Sequence, residues 1–199
     1  MIHVITPLKR YQNLNSLIEF WRPLNVHWHL VLDDAPFHIQ FFRDCDWIHT
    51  HTFRGSVPEG SDPCLVRLNW FLESVPLHRE DLYCFFNDDD AVEPGFFDKI
   101  RHTKNHVNIV SLKRGDNIPN PAMPHGTNTL EANAESMHPC HCSLEQLIVS
   151  GTAAKEMRFP IEQCGDGKLI ERIVNEHVTA YFPEAFAWFN YFEPGRWNK

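Results

Sequence analysis

The sequence predicts a single α/β domain built on a Rossmann-like, mostly parallel central sheet flanked by helices, and three observations carry that prediction. Short β-branched or apolar runs alternate along the chain with apolar stripes at helical spacing. Two of those runs, 26–32 and 82–86, stop abruptly in carboxylates, Asp33-Asp34 and Asp88-Asp89-Asp90. At 199 residues, 43% of them hydrophobic, the chain is the size of one domain with a substantial core.

Residues 2–5 are the first β-branched run, and Thr6-Pro7 then reads as a helix N-cap with Pro at the first helical position. Tyr11, Leu14, Leu17, Ile18 and Trp21 make one helical stripe, which Pro23 ends. In 26–32, Val26, Trp28, Leu30 and Leu32 alternate with His27 and His29, the pattern of a strand. Residues 47–53 are a weaker, His- and Thr-rich strand, and 55–62 has the Gly, Pro and Ser content of a loop. Asp62-Pro63 repeats the cap signature ahead of the clearest helical stripe in the chain, Leu65, Leu68, Leu72 and Val75. The apolar run 82–86 is of the buried-strand type, and after its acidic turn Glu93-Pro94 starts a short helix bearing Phe96, Phe97 and Ile100. Residues 107–112 form a strand leading into Lys113-Arg114. From 115 to 143 the pattern dissolves into Asn, Pro, Gly and small residues, which predicts a flexible flap. Strands at 144–149 and 180–189 follow, with a helix between them marked by Leu169, Ile170, Ile173 and Val174 and introduced by Gly165-Asp166-Gly167. One domain is therefore expected over 1–199, with ligands gathering at the carboxyl ends of its strands.

Eighteen Lys and Arg against 26 Asp and Glu give a formal charge of −8, which leaves no global positive field for nucleic acid or an anionic membrane. Thirteen His make that charge depend on pH. The six Cys are too few for a disulfide scaffold and suit reduced, packed thiols. The opening MIHVITP has no basic lead, and no run approaches ~18 apolar residues. The expectation is a soluble cytoplasmic protein with no signal peptide and no membrane span.

Three adjacent carboxylates repel one another unless a cation or a proton relieves them, and carboxylate oxygens suit Mg²⁺ or Mn²⁺. Asp166, between two glycines at a helix start, suits either an N-cap or a general base, with Glu162 as the substitute for that second role. His138, Cys140, His141 and Cys142 offer zinc-type ligands at poor spacing, and a border to the flap is the better reading of them. No GxxxxGK phosphate loop occurs.

The segment FFNDDDAVEPGFF, after a buried strand and before a short helix, resembles the DxD region of GT-A-fold glycosyltransferases, and TPLKR, VHWHLVLDDAP and GDGKLI fall in the order of that fold. The resemblance implies a GT-A-like domain with residues 1–114 as the nucleotide-sugar-binding half and 115–199 as the acceptor and catalytic half. It implies that the divalent metal site is drawn from Asp88, Asp89 and Asp90, with Asp89 and Asp90 favoured for direct metal contact and Asp88 for the ribose or a metal-bound water. The motif frame is open, because counting back from Glu93-Pro94 selects Asn87 and Asp89, whereas a literal DxD selects Asp88 and Asp90. Asp33 would accept the imide N–H of a uracil or thymine, and Thr6 and Pro7 would line base and ribose. Arg10 and Arg67 would counter the diphosphate, and Asn190 and Arg196 in the aromatic tail would close over the donor. Asp166 is the implied catalytic base of an inverting transfer from a nucleoside diphosphate sugar, UDP-linked first, to a hydroxyl of a glycan or small acceptor. Two alternatives share these residues: a Mg²⁺-dependent nucleotidyl or phosphoryl transferase, and a non-catalytic carbohydrate- or metal-binding module.

Overall fold

A computed structural model describes residues 1–33, 45–114, 129–137, 142–162, 164–189 and 191–192. Its elements run β1 (Ile2–Pro7), α1 (Leu14–Trp21), β2 (His27–Leu32), β3 (Ile48–Thr52), α2 (Pro63–Ser74), β4 (Leu82–Phe85), β5 (Ala91–Val92), α3 (Phe96–Ile100), β6 (Val107–Arg114), β7 (Thr129–Leu130), β8 (Leu147–Ser150), α4 (Gly151–Glu156), α5 (Gly165–Glu176) and β9 (Thr179–Phe189). Among the described residues these strands form one sheet in the order β3-β2-β1-β4-β8-β6-β9-β5, with β7 beside β6.

The α/β class with helices flanking one sheet holds, and the parallel part of the sheet is its first half. β1 pairs β2 and β4 in parallel, and β2 pairs β3 in parallel. β8 then enters antiparallel to both β4 and β6, while β9 returns parallel to β6, so the sheet as a whole is mixed. Alternation along each strand sends side chains to two separate cores. Ile5, Val31 and Phe85 pack with α2, α4 and α5 on one face, whereas Val4, Leu30 and Cys84 pack with α1 and α3 on the other.

Thr6-Pro7 departs from its expected role. Both residues belong to β1, with Pro7 paired to Val31, and α1 begins only at Leu14 after a 3-10 turn at Tyr11–Asn13. The Thr6 hydroxyl accepts the Trp28 indole N–H at 3.0 Å and so satisfies a core donor in place of capping a helix. Asp62 does cap as expected, accepting the Cys64 amide at 2.7 Å. Of the expected flap, 115–128 and 138–141 lie outside the described residues, and 129–137 contain β7 and a 3-10 turn. α4, a six-residue GTAAKE helix, carries too short an apolar stripe for periodicity to show it. β9 bulges where Pro183 cannot donate to the ladder, and the Ser111 hydroxyl donates to the Pro183 carbonyl there at 3.0 Å. Among the described residues no helix is long and apolar enough to cross a membrane.

Candidate functional site

The chain doubles back at the carboxyl ends of β1 and β4, and this is where the acidic turn sits. Asp88, Asp89 and Asp90 are all buried, at 1%, 1% and 0% exposure. Buried carboxylates need donors, and the loop after β1 supplies them. The Lys9 and Arg10 amides both donate to Asp88 Oδ2, and the Arg10 guanidinium donates to Asp88 Oδ1 at 2.6 Å. Arg10 Nη1 also lies 3.0 Å from Asp89 Oδ1. Asn13 Nδ2 donates to the Asp88 carbonyl at 2.9 Å, and the Phe192 amide donates to the Asp89 carbonyl at 3.0 Å. Asp90 turns back to accept the Asn87 amide at 2.9 Å. The counter-charge that three carboxylates demand is therefore provided in part by Arg10.

Across from this turn stands Asp166, in the first turn of α5, where the N-cap position is taken by Cys164. The helix start reaches the site because residue 165 is glycine: a Cβ there would sit 1.7 Å from the Pro160 carbonyl oxygen. Asp166 Oδ2 accepts the Leu144 amide at 3.1 Å. Burial raises its carboxyl above the ordinary carboxylate value, the negative charge of Glu145 raises it further, and the Gly167 and Leu144 amides partly offset both.

Glu145 is the residue sequence reasoning missed. It is 1% exposed, accepts Asn87 Nδ2 at 2.6 Å on one oxygen and takes the Ser143 hydroxyl on the other. Ser143 and Gln146 close a capping box around it, and Gln146 Nε2 donates to the Val110 carbonyl at 3.0 Å. Glu145 thus joins the start of the acidic turn to the segment beneath Asp166. The one sequence signal for it was a Ser-x-x-Gln box directly before an apolar run.

Lys9, Arg10, Asn87, Asp88, Asp89 and Asp166 converge on a cavity of about 240 Å³ at this edge, rimmed by Asp62, Cys64 and Phe189. Burial raises the Cys64 thiol, and the neighbouring Lys9 partly offsets that effect. The other expected ligands lie elsewhere. Thr6 and Pro7 are buried in β1 and do not line the cavity. Arg67, expected at the diphosphate, is 6% exposed and grips Asp33 instead, Nε to Oδ1 at 2.9 Å and Nη2 to Oδ2 at 2.6 Å. This fork–fork pair leaves the Asp33 side chain about half exposed (54%) and Arg67 Nη1 buried without a hydrogen-bond partner among the described residues. Asn190 and Arg196 lie outside the described residues.

A three-carboxylate metal site does not fit this arrangement. Among the described residues no three His, Cys, Asp or Glu side chains are placed around one cation, because Asp90 faces back into its own turn. A site using Asp88 and Asp89 alone, completed by ligand oxygens, does fit, since both line the cavity. Of the HPCHC cluster only Cys142 is described. It is buried, its thiol is pushed up to about 12 chiefly by burial, and it points its sulfur at the Gly167 carbonyl at 3.7 Å. Cys164 is disulfide-bonded, which departs from the expected set of reduced thiols.

No known family profile matches the chain, and no curated protein sequence matches it either. Structures do: 37 chains match, among them Staphylococcus aureus TarS 1-349 in complex with UDP, at a TM-score of 0.58 and 13% identity over 94% of this chain. This chain spans 60% of that one. HddC from Yersinia pseudotuberculosis matches at a TM-score of 0.54 and 11% identity, covering 94% of this chain and 92% of that chain. At such identities the likeness establishes that the chain shares the α/β fold of these structures, and nothing finer.

Proposed function

We propose that the protein is a metal-dependent glycosyltransferase that takes a nucleoside diphosphate sugar, a UDP-sugar first, and transfers the sugar with inversion to a hydroxyl of a glycan or small acceptor. The observation that carries this reading is a raised carboxyl, Asp166, facing the Asp88–Asp89 turn across one cavity at the carboxyl edge of a glycosyltransferase-like sheet. TarS, solved in complex with UDP, supports the choice of nucleotide.

In this mechanism Lys9 and Arg10 face the diphosphate with positive charge while their amides hold Asp88 in place. A divalent ion bound by Asp88 and Asp89 would supply Lewis-acid stabilisation of the leaving diphosphate. Asp33, held through both oxygens by Arg67 and still about half exposed, accepts the nucleobase imide N–H on a remaining lone pair. Asp166 accepts the proton of the acceptor hydroxyl as that oxygen attacks the anomeric carbon, and the carbon–oxygen bond to the diphosphate breaks with its electrons moving onto the phosphate. The elevated proton affinity of Asp166 makes it a stronger base than an exposed carboxylate.

A thermal-shift series with UDP, GDP, TDP, CMP and ADP, each with and without Mn²⁺, tests the reading, because a ligand that binds only the native state raises its melting temperature. A Mn²⁺-dependent rise with one nucleoside diphosphate, UDP first, is the expected result. A response to Ca²⁺ alone, with none to any nucleotide, overturns it in favour of a binding module.

A further inference from the structure

The opposite, amino-terminal end of the same strands carries a cluster that the site does not use. The parallel registers of β1, β2 and β3 bring His3, His27, His29, His49 and His51 onto one face of the sheet. Their rings bond in two strings. In the first, His3 Nε2 meets Asp81 Oδ2 at 3.0 Å, His3 Nδ1 meets His29 Nε2 at 2.9 Å, and His29 Nδ1 meets His51 Nε2 at 2.9 Å. In the second, His27 Nδ1 meets His49 Nε2 at 2.8 Å. His3 stacks on Tyr83 with centroids 4.8 Å apart, and Phe71 of α2 packs edge-on against both His29 and His51. A cavity of about 450 Å³ opens beside His3, His27, His29 and His49.

Proton counting shows what such strings tolerate. Each ring-to-ring bond holds one hydrogen, so the three-ring string, with Asp81 accepting from its end, keeps every bond when all three rings are neutral Nε2–H tautomers. It also keeps every bond with one added proton. A second added proton sets a donor against a donor and breaks a link, and it places like charges on rings only 4.7–5.4 Å apart.

We infer that this five-imidazole face is a proton-operated latch: neutral, it holds the β1–β2–β3 edge against α2, and on taking more than one proton per string it releases that edge. The release reaches the carboxyl end of the sheet, since Asp33 directly follows β2 and Arg67 stands one helical turn before Phe71 on α2. Among the described residues the charged and titratable groups facing the face are Asp81 with the Met1 amine bonded to it, Asp46 beside His49, Tyr83 and His78. α2 contributes only the apolar Phe71 to the cavity, and Val75 just past its end is apolar too. The two acids each face one end of the array, so among the described residues no carboxylate acts on His29 or His51 to hold a proton there. Burial, then neighbouring imidazoles, pushes His29 down to about 2 and His51 down to about 4, and lowers His3 and His49 as well. A base whose folded value lies below its ordinary 6.5 binds more protons unfolded, so this stabilisation is complete above pH 6.5 and is lost progressively as pH falls through 4. The inference stands whether or not the carboxylate cavity takes a nucleotide.

Urea unfolding measured from pH 7.5 to 4.5 tests it, because the slope of the unfolding constant with pH counts the protons taken up. Between pH 6 and 5 the wild type should take up about two more protons than the His29→Gln/His51→Gln variant, one for each ring removed. Equal slopes overturn the latch. If the variant does not fold, long-range ¹H–¹⁵N spectra of the wild-type rings decide the matter. Neutral Nε2–H tautomers at His3, His29 and His51 that change together in one acid transition support it. Rings that titrate one at a time near 6.5 overturn it.

Discussion

Two cavities sit at the two ends of the same parallel strands, and they hold buried polarity in opposite ways. At the carboxyl end, fixed negative charges are met by fixed donors: Asp88 by two amides and a guanidinium, Glu145 by Asn87 and Ser143, Asp166 by the Leu144 amide. At the amino end, imidazoles are held almost wholly by one another. The first arrangement keeps its charge while its donors stay in place, and the second keeps its bonds only while it stays neutral. The lesson is that a carboxylate cluster near pH 7 depends on chain geometry, whereas an imidazole cluster depends on proton activity.

Removing one partner breaks the comparison most sharply at the carboxyl end. Asp88→Ala takes the shared acceptor from the Lys9 and Arg10 amides and from the Arg10 guanidinium and should cost about 1–3 kcal/mol, read by urea unfolding. A cost near zero would mean that the turn is held some other way. Asp166→Asn should act the other way round. Its folded proton affinity is raised, so its stabilising contribution is present below the ordinary carboxylate value and is lost as pH rises; at pH 7 the ionised form is a burden. The amide should therefore leave the midpoint of unfolding unchanged or higher, while transferase turnover falls about 10²–10⁴-fold. A lower midpoint with activity intact would make Asp166 a structural group.

Glu145→Gln sharpens the same contrast by a smaller amount. Removing the charge that helps raise Asp166 should move the acid limb of the pH–rate profile to lower pH, and Asn87 should keep its hydrogen bond. An unmoved limb would separate Glu145 from the titration of Asp166. The smallest effect belongs to Asp62→Ala, which removes one helix cap at the rim and should cost about 1 kcal/mol in thermal unfolding.

How legible each feature was follows from how local its cause is. α2 could be read from Asp62-Pro63 and its stripe, because a cap and a 3.6-residue period act within a few residues. The acidic turn and Asp166 could be read for the same reason, each directly following or opening an element. Thr6-Pro7 could not, since Pro at a strand end and Pro at a helix start look alike until Trp28 claims the Thr6 hydroxyl. The Arg67–Asp33 grip links residues 34 apart and the Asn87–Glu145 bond residues 58 apart, and no local pattern announces either.

The amino-acid sequence by itself determined the α/β class, most element positions and the carboxylates waiting at strand ends, because hydrophobic period, caps and turns are short-range physics. The tertiary structure alone decided which of those groups meet. It gave Arg10 to the acidic turn and Arg67 to Asp33, set Glu145 beneath Asp166, and gathered five histidines from three strands onto one face. Strand order and register set those distances, and both are settled by the burial of two cores, one on each side of the sheet.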